Sequence, residues 1–236
     1  MYARQDRLHI KQYEEETNLR LSLVVDRSGS MAYGNGESNK FDYSASIAAS
    51  LAYLALRQKD ATGLFTFDQN VQSIVPAKSN QHQLSRILSV LDSVGADGRT
   101  DLPRVAKEIA NSIPRRGLVV VISDLLGVDN LMEGLRVLRQ RGHDVALMHV
   151  LHDDELDFDF SGATRFEGLE SDDFLNCNPR ALREGYLEAL NEFLAKTKKA
   201  CGRLSIDYMQ VRTSEPLDAV LASFLASRQA LPKLKR

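Results

Sequence analysis

Two apolar runs that close on an aspartate constrain this chain most. "LSLVVD" ends at Asp26 and "GLVVVISD" ends at Asp124. In the first, Leu21, Leu23 and Val25 alternate with Ser22 and Val24, which reads as a strand buried on both faces. The second is the clearest buried strand in the sequence. Buried parallel strands need helices over both sides of their sheet, and ligands of such open sheets gather beyond the carboxyl ends of the strands. The two aspartates therefore stand where a site is expected.

The rest of the chain supplies the covering helices. Ile47, Leu51, Leu54 and Ala55 recur at helical spacing and predict a helix over 41–58, and Leu84, Ile87, Leu88 and Leu91 predict another over 81–91. Further helices are expected over 102–112, 131–140 and 179–201, with a last one started by Pro216. Between them, "ATGLFTFD" and "VQSIVP" flank Gln69-Asn70 as a short hairpin, and strands are expected over 145–150 and 205–211. Leu8 and Ile10 alternate with His9 and Lys11 as a half-exposed edge strand. Strands alternating with helices imply an α/β fold, doubly wound around a mostly parallel central sheet. No internal repeat is found, and a single domain over 1–236 is expected, with 1–17 as a leading edge segment.

One stretch breaks the rhythm. His152 to Pro179 is too long and too acidic for a plain connection, and Phe166, Leu169, Phe174 and Leu175 predict a small hairpin packed on the domain. This 152–179 insert reads either as an ordered surface excursion or as a partner-binding element. Its acid run, 152–159, lacks the glycine pattern of an EF-hand and is expected to be a solvated surface.

The 236 residues carry 43% hydrophobic and 26% charged side chains and a formal charge of -2, an ordinary globular balance without the basic excess of a nucleic-acid binder. Cys177 and Cys201 show no CxxC spacing and are expected as free thiols in a reducing compartment. No apolar run approaches the roughly 20 residues of a membrane span, and the start has no signal-peptide core, so a cytoplasmic protein is expected.

Beyond the strand ends the chemistry is uniform. "DRSGS" offers Asp26, Ser28 and Ser30, "DGRTD" offers Thr100 in a loop before a helix, and "SDL" offers Asp124. Two carboxylates and three hydroxyls form a hard oxygen set, suited to Mg²⁺ with several waters retained. Gly29, Gly95 and Gly98 would let the loops fold tightly around an ion. Neutral hydroxyls leave most of the ion's charge uncompensated, which suits a site that takes an incoming carboxylate. Asp101 is read as a helix cap or first-turn acid, and His149 as a hydrogen-bonded core residue.

Asp-x-Ser-x-Ser after a strand, a threonine in a glycine loop and an aspartate after a later strand resemble the von Willebrand factor A-type domain. That resemblance implies a metal-ion-dependent adhesion site of Asp26, Ser28, Ser30, Thr100 and Asp124, holding Mg²⁺ or Mn²⁺. It implies that the serines and, in the ligand-competent state, the threonine bind directly, that the aspartates often act through water, and that a partner's Asp or Glu supplies the sixth ligand. Longer stretches, among them "SLAYLALRQKDATGLFTFD" and "DYMQVRTSEPLDAVLASFLASR", are similar to a bacterial subgroup carrying a domain of unknown function. Its genes often lie beside those of MoxR-type AAA+ ATPases, so such an ATPase or its client is the implied partner, in assembly or maturation of other proteins. Relatives usually carry an upstream segment before the "YAR" at Tyr2, so the chain is expected to be a truncated or short member.

An alternative is a Mg²⁺-dependent phosphotransferase or phosphatase with Asp26 as nucleophile. Dehalogenase-type enzymes place a second aspartate two residues on, where this chain has Ser28, and no lysine is evident beside Asp124 to steady a phosphoryl group. "RSGSM" is not a nucleophile elbow either. A binding module, not an enzyme, is the expectation.

Overall fold

Six strands form the central sheet of this computed structural model, in the order β3-β2-β1-β4-β5-β8. The described residues are 19–34, 39–93, 95–96, 102–113, 115–126, 131–170 and 173–230. The expected 8–11 strand, the 1–17 segment, Gly98, Thr100, Asp101 and the basic tail from 232 lie outside them.

β1 (Arg20–Asp26) is flanked in parallel by β2 (Ala61–Phe67) and β4 (Leu118–Ser123), and β5 (Asp144–Leu151) and β8 (Asp207–Arg212) continue the parallel half. β3 (Val71–Lys78) folds back on β2 as the antiparallel edge expected from the hairpin at Gln69-Asn70. The alternation along β1 does what its spacing predicts. Leu21, Leu23 and Val25 face one core, with α1 (Lys40–Arg57), α2 (Gln83–Ser93) and α7 (Leu217–Ala230). Val24 faces the other, with α3 (Leu102–Ser112), α4 (Leu131–Gln140) and α6 (Pro179–Arg203). Burial of each such Leu or Val contributes roughly 1.5–3 kcal/mol, so two apolar faces on one strand hold both helical layers to the sheet.

This is the doubly wound, mostly parallel sheet expected. The chain leaves β1 toward β2 on one side and later places β4 on the other, so the ends of β1 and β4 border the crevice where the winding reverses. Asp26 ends β1 and Asp124 follows β4 directly.

The 152–179 stretch contains α5 (Asp153–Asp157) and an antiparallel pair, β6 (Thr164–Glu167) and β7 (Phe174–Cys177). The acid run is in part the solvated surface expected, with no residue of α5 buried and Asp157 and Asp159 exposed, but acids within it are also paired. Asp153 and Asp157 pair with Arg212, Asp154 accepts from Tyr33, and Glu155 pairs with Lys40. Four acids of this run thus tie the insert down, because the cations and the phenol that need them come from β8, α1 and the loop after β1. Cys177 and Cys201 are free thiols, and burial pushes Cys201 up to about 11.

Candidate metal site

Asp26, Ser28, Ser30 and Asp124 come together at the carboxyl ends of β1 and β4. Asp26, Ser28 and Asp124 are fully buried and Ser30 is 7% exposed. The turn that gathers the first three is local. The Asp26 carboxylate accepts from the Ser28 backbone N–H at 2.9 Å, and a one-turn 3₁₀ helix over Gly29–Ala32 carries Ser30 back beside Ser28. Met31, buried in the core between these serines and α1, pins that turn. The Ser28 and Ser30 hydroxyls hydrogen-bond to each other, their oxygens 3.1 Å apart.

The second aspartate is aimed by backbone strain. Leu125 follows it with φ +58°, in the left-handed region that costs a branched residue about 1–3 kcal/mol. Ser123 stabilises that turn twice: its hydroxyl accepts from the Leu125 N–H at 3.0 Å and donates to the second oxygen of Asp26 at 2.6 Å. Leu126 N–H donates to Asp124 Oδ1 at 3.1 Å.

Burial, and after it the charge of Asp124, raises the Asp26 carboxyl to about 7, against the opposing hydrogen bonds of Ser123 and Ser28. Both oxygens of Asp26 already accept hydrogen bonds, one from the Ser28 N–H and the other from the Ser123 hydroxyl. The same holds for Asp124, for a reason absent from the sequence reading. Lys40 Nζ lies 2.6 Å from Asp124 Oδ2 and 2.6 Å from Glu155 Oε1, and its side chain is fully buried. Burial disfavours the ammonium, but the two carboxylates outweigh that and raise its pKa. The expectation that no lysine stands beside Asp124 is therefore corrected. The first turn of α1 folds over the end of β4 and brings in a cation 84 residues away in sequence.

His149 is the core residue expected. Its Nε2 faces the Asp124 carbonyl at 2.8 Å, so that nitrogen donates and Nδ1 accepts from the Tyr208 hydroxyl at 2.9 Å. Burial lowers its pKa to about 4, and a neutral imidazole with both nitrogens occupied is no base.

A Cβ at Gly95 would meet nothing, whereas one at Gly29 would lie 2.4 Å from the Leu169 carbonyl oxygen. The close approach of the insert thus requires a glycine at position 29. Beside it, Ser30 N–H donates to Glu170 Oε1 at 3.4 Å. Among the described residues no three His, Cys, Asp or Glu side chains gather as a metal cluster. Thr100, the third expected hydroxyl, lies outside the described residues.

Sequence reasoning did not single out Lys40, Ser123 or Glu155. One signal was legible for Lys40: a cation at the first position of a helix, where the macrodipole disfavours it, needs a nearby acid.

The family described as "Protein of unknown function DUF58" matches residues 1–195. The chain belongs to that family. Among DUF58 relatives, uncharacterized proteins Rv1480 of Mycobacterium tuberculosis (strain ATCC 25618 / H37Rv) and Mb1516 of Mycobacterium bovis (strain ATCC BAA-935 / AF2122/97) are each 28% identical. Each alignment covers 96% of this chain and 73% of the relative. Structural likeness extends to the conserved hypothetical protein BatB from Bacteroides thetaiotaomicron, with TM-score 0.58, 13% identity and coverage of 90% of this chain and all of that one. An aerotolerance-related membrane protein from Bacteroides fragilis NCTC 9343 gives 0.61 and 14%, over 90% of this chain and 100% of that one. The SpRpn10 VWA domain gives 0.51 and 12%, over 88% and 95%. At such identities the likeness shows the fold alone, and that fold is von Willebrand factor A-like. Among the described residues no helix is long and apolar enough to cross a membrane.

Proposed function

We propose that this DUF58 chain is a metal-dependent protein-interaction module that binds an acidic side chain of a partner at the carboxyl ends of β1 and β4. The observation that carries the reading is the 3.1 Å separation of the Ser28 and Ser30 hydroxyls. Adjacent vertices of an octahedron with ~2.0–2.1 Å ligand distances lie about 2.9 Å apart, close to the hydrogen bond these two hydroxyls share, so little movement would let both oxygens hold one Mg²⁺ or Mn²⁺. Thr100 is proposed as the third hydroxyl, with Asp26 and Asp124 held back by their own hydrogen bonds to act through water. When bound, the ion would supply a positive centre for an anionic oxygen. The chain's own residues orient the hydroxyls and hold the acids in reserve.

Lys40 supports binding over phosphoryl transfer. Its ammonium is buried between two carboxylates, 2.6 Å from each, and is committed to them. Asp26, buried, doubly hydrogen-bonded and raised to about 7, is a poor nucleophile. The partner is proposed to be a MoxR-type AAA+ ATPase or its client, in the cytoplasm. That assignment rests on the resemblance to the bacterial subgroup.

Calorimetric titration with Mg²⁺ and with Mn²⁺, with and without chelator, tests the site. Pull-down with a MoxR-type ATPase in the same buffers tests the partner. Metal binding by wild type that is lost in Ser28→Ala is expected. Absence of any metal binding by wild type would overturn the reading.

A further inference from the structure

A cavity of about 190 Å³ opens beside Ser30, between the insert and the loop after β1. Tyr33, Leu126, Phe158, Leu169 and Tyr186 are among its walls. Two acids also line it, each already hydrogen-bonded: Asp154 accepts from the Tyr33 hydroxyl, and Glu155 accepts from Lys40 and the His152 backbone N–H. The space therefore offers mainly aromatic and aliphatic surface beside two already hydrogen-bonded carboxylates. An apolar cavity of ~150 Å³ suffices for benzene, so this one has room for a phenyl ring or a branched aliphatic side chain.

Two further observations say what such an occupant is attached to. Ser30 belongs both to the cavity wall and to the pair of hydroxyls assigned to the ion. The chain's own Leu169 forms part of that wall, and the next residue, Glu170, places its carboxylate 3.4 Å from the Ser30 N–H. An acid of this chain thus already reaches the surface beside the paired hydroxyls.

We propose that the cavity is a second subsite of the same interface, and that it receives an apolar side chain directly preceding the partner's metal-bound Asp or Glu. The inference rests on the metal-dependent reading above and adds to it the partner's sequence chemistry, a Phe- or Leu-acid pair. Leu169-Glu170 stands at the approach to the subsite and competes with the partner. The pairing discriminates by burial: an apolar side chain of that size is worth roughly tenfold or more in affinity.

The probes are acetyl-Phe-Glu-amide and acetyl-Ala-Glu-amide, titrated into the full chain in Mg²⁺ and in chelator and followed by amide and side-chain resonances. Magnesium alone, followed at the Ser28 and Ser30 amides, reports separately on the metal. About tenfold tighter binding of the Phe peptide in Mg²⁺ is expected, with shifts at Tyr33 and Tyr186, loss in chelator and several-fold gain in Glu170→Gln. Equal affinity of the two peptides in Mg²⁺, or no binding of either, would overturn the subsite while the magnesium titration still judges the metal. A preference for Phe that persists in chelator would overturn the coupling of the cavity to the ion. A Glu170→Gln variant with unchanged affinity would overturn the competition by Leu169-Glu170.

Discussion

Lys40 Nζ sits 2.6 Å from Asp124 Oδ2, both side chains fully buried, and the same ammonium reaches Glu155 of the insert at 2.6 Å. One cation therefore joins three parts of the molecule: the helix after β1, the end of β4 and α5. Removing one partner of a buried ion pair costs about 3–5 kcal/mol, because the other is left charged and unpaired. Lys40→Met is expected to lose stability of that order in metal-free buffer, read as a lowered urea midpoint. Mg²⁺ should restore more stability to the variant than it adds to wild type, since a second cation can answer the unpaired Asp124. Wild-type stability in the variant would mean that the pair is not formed.

Two buried groups titrate in opposite senses. Asp26 is raised from 3.8 to about 7, so the folded protein keeps a proton that the unfolded chain releases, and stability falls as pH rises through that window. His149 is lowered from 6.5 to about 4, so the unfolded chain takes a proton that the folded one refuses, and stability falls as pH drops through that window. Between about pH 4 and 6.5 the two oppose each other, each limited to about 1.4 kcal/mol per pH unit. Metal-free Asp26→Asn should therefore gain stability with rising pH more steeply than wild type over this range. His149→Gln should lose it. Denaturation series at several pH values check both, and parallel curves for all three proteins would contradict them.

Gly29 is expected to tolerate no side chain without cost to the insert. A Cβ 2.4 Å from the Leu169 carbonyl must push that backbone away, at about 1–3 kcal/mol if the contact is kept. Gly29→Ala should speed hydrogen exchange in β6 and β7 while leaving β1 and β4 protected. Unchanged exchange in the hairpin would show that the approach is looser than the geometry states.

Ser28→Ala, Ser30→Ala and Thr100→Ala each delete one proposed ligand. Each should weaken Mg²⁺ affinity about tenfold or more, and the two serine variants should shift the metal-free urea midpoint little, since a buried hydroxyl bond is worth about 1 kcal/mol. Calorimetry and denaturation on the same samples check this. Full metal affinity in all three would remove the hydroxyl site.

The positions of Asp26 and Asp124 were legible because a buried strand announces itself by continuous apolar composition, and the residue that stops it must lie at the sheet's end. Ser28 and Ser30 were legible for the same local reason: a turn of five residues carries them there whatever the rest of the chain does. Helix spacing likewise determined which face of α1 and α2 meets the sheet, since periodicity is a property of a few consecutive residues. Lys40, Glu155 and Glu170 could not be read that way. Each reaches the site from an element distant in sequence, Lys40 across 84 residues, Glu155 across 115 to Lys40 and Glu170 across 140 to Ser30. Their roles depend on how the first turn of α1 and the insert pack over the strand ends. Local pattern determined where the site would be; only tertiary packing decided which charges surround it, because electrostatic partners are chosen by distance in space and not by distance along the chain.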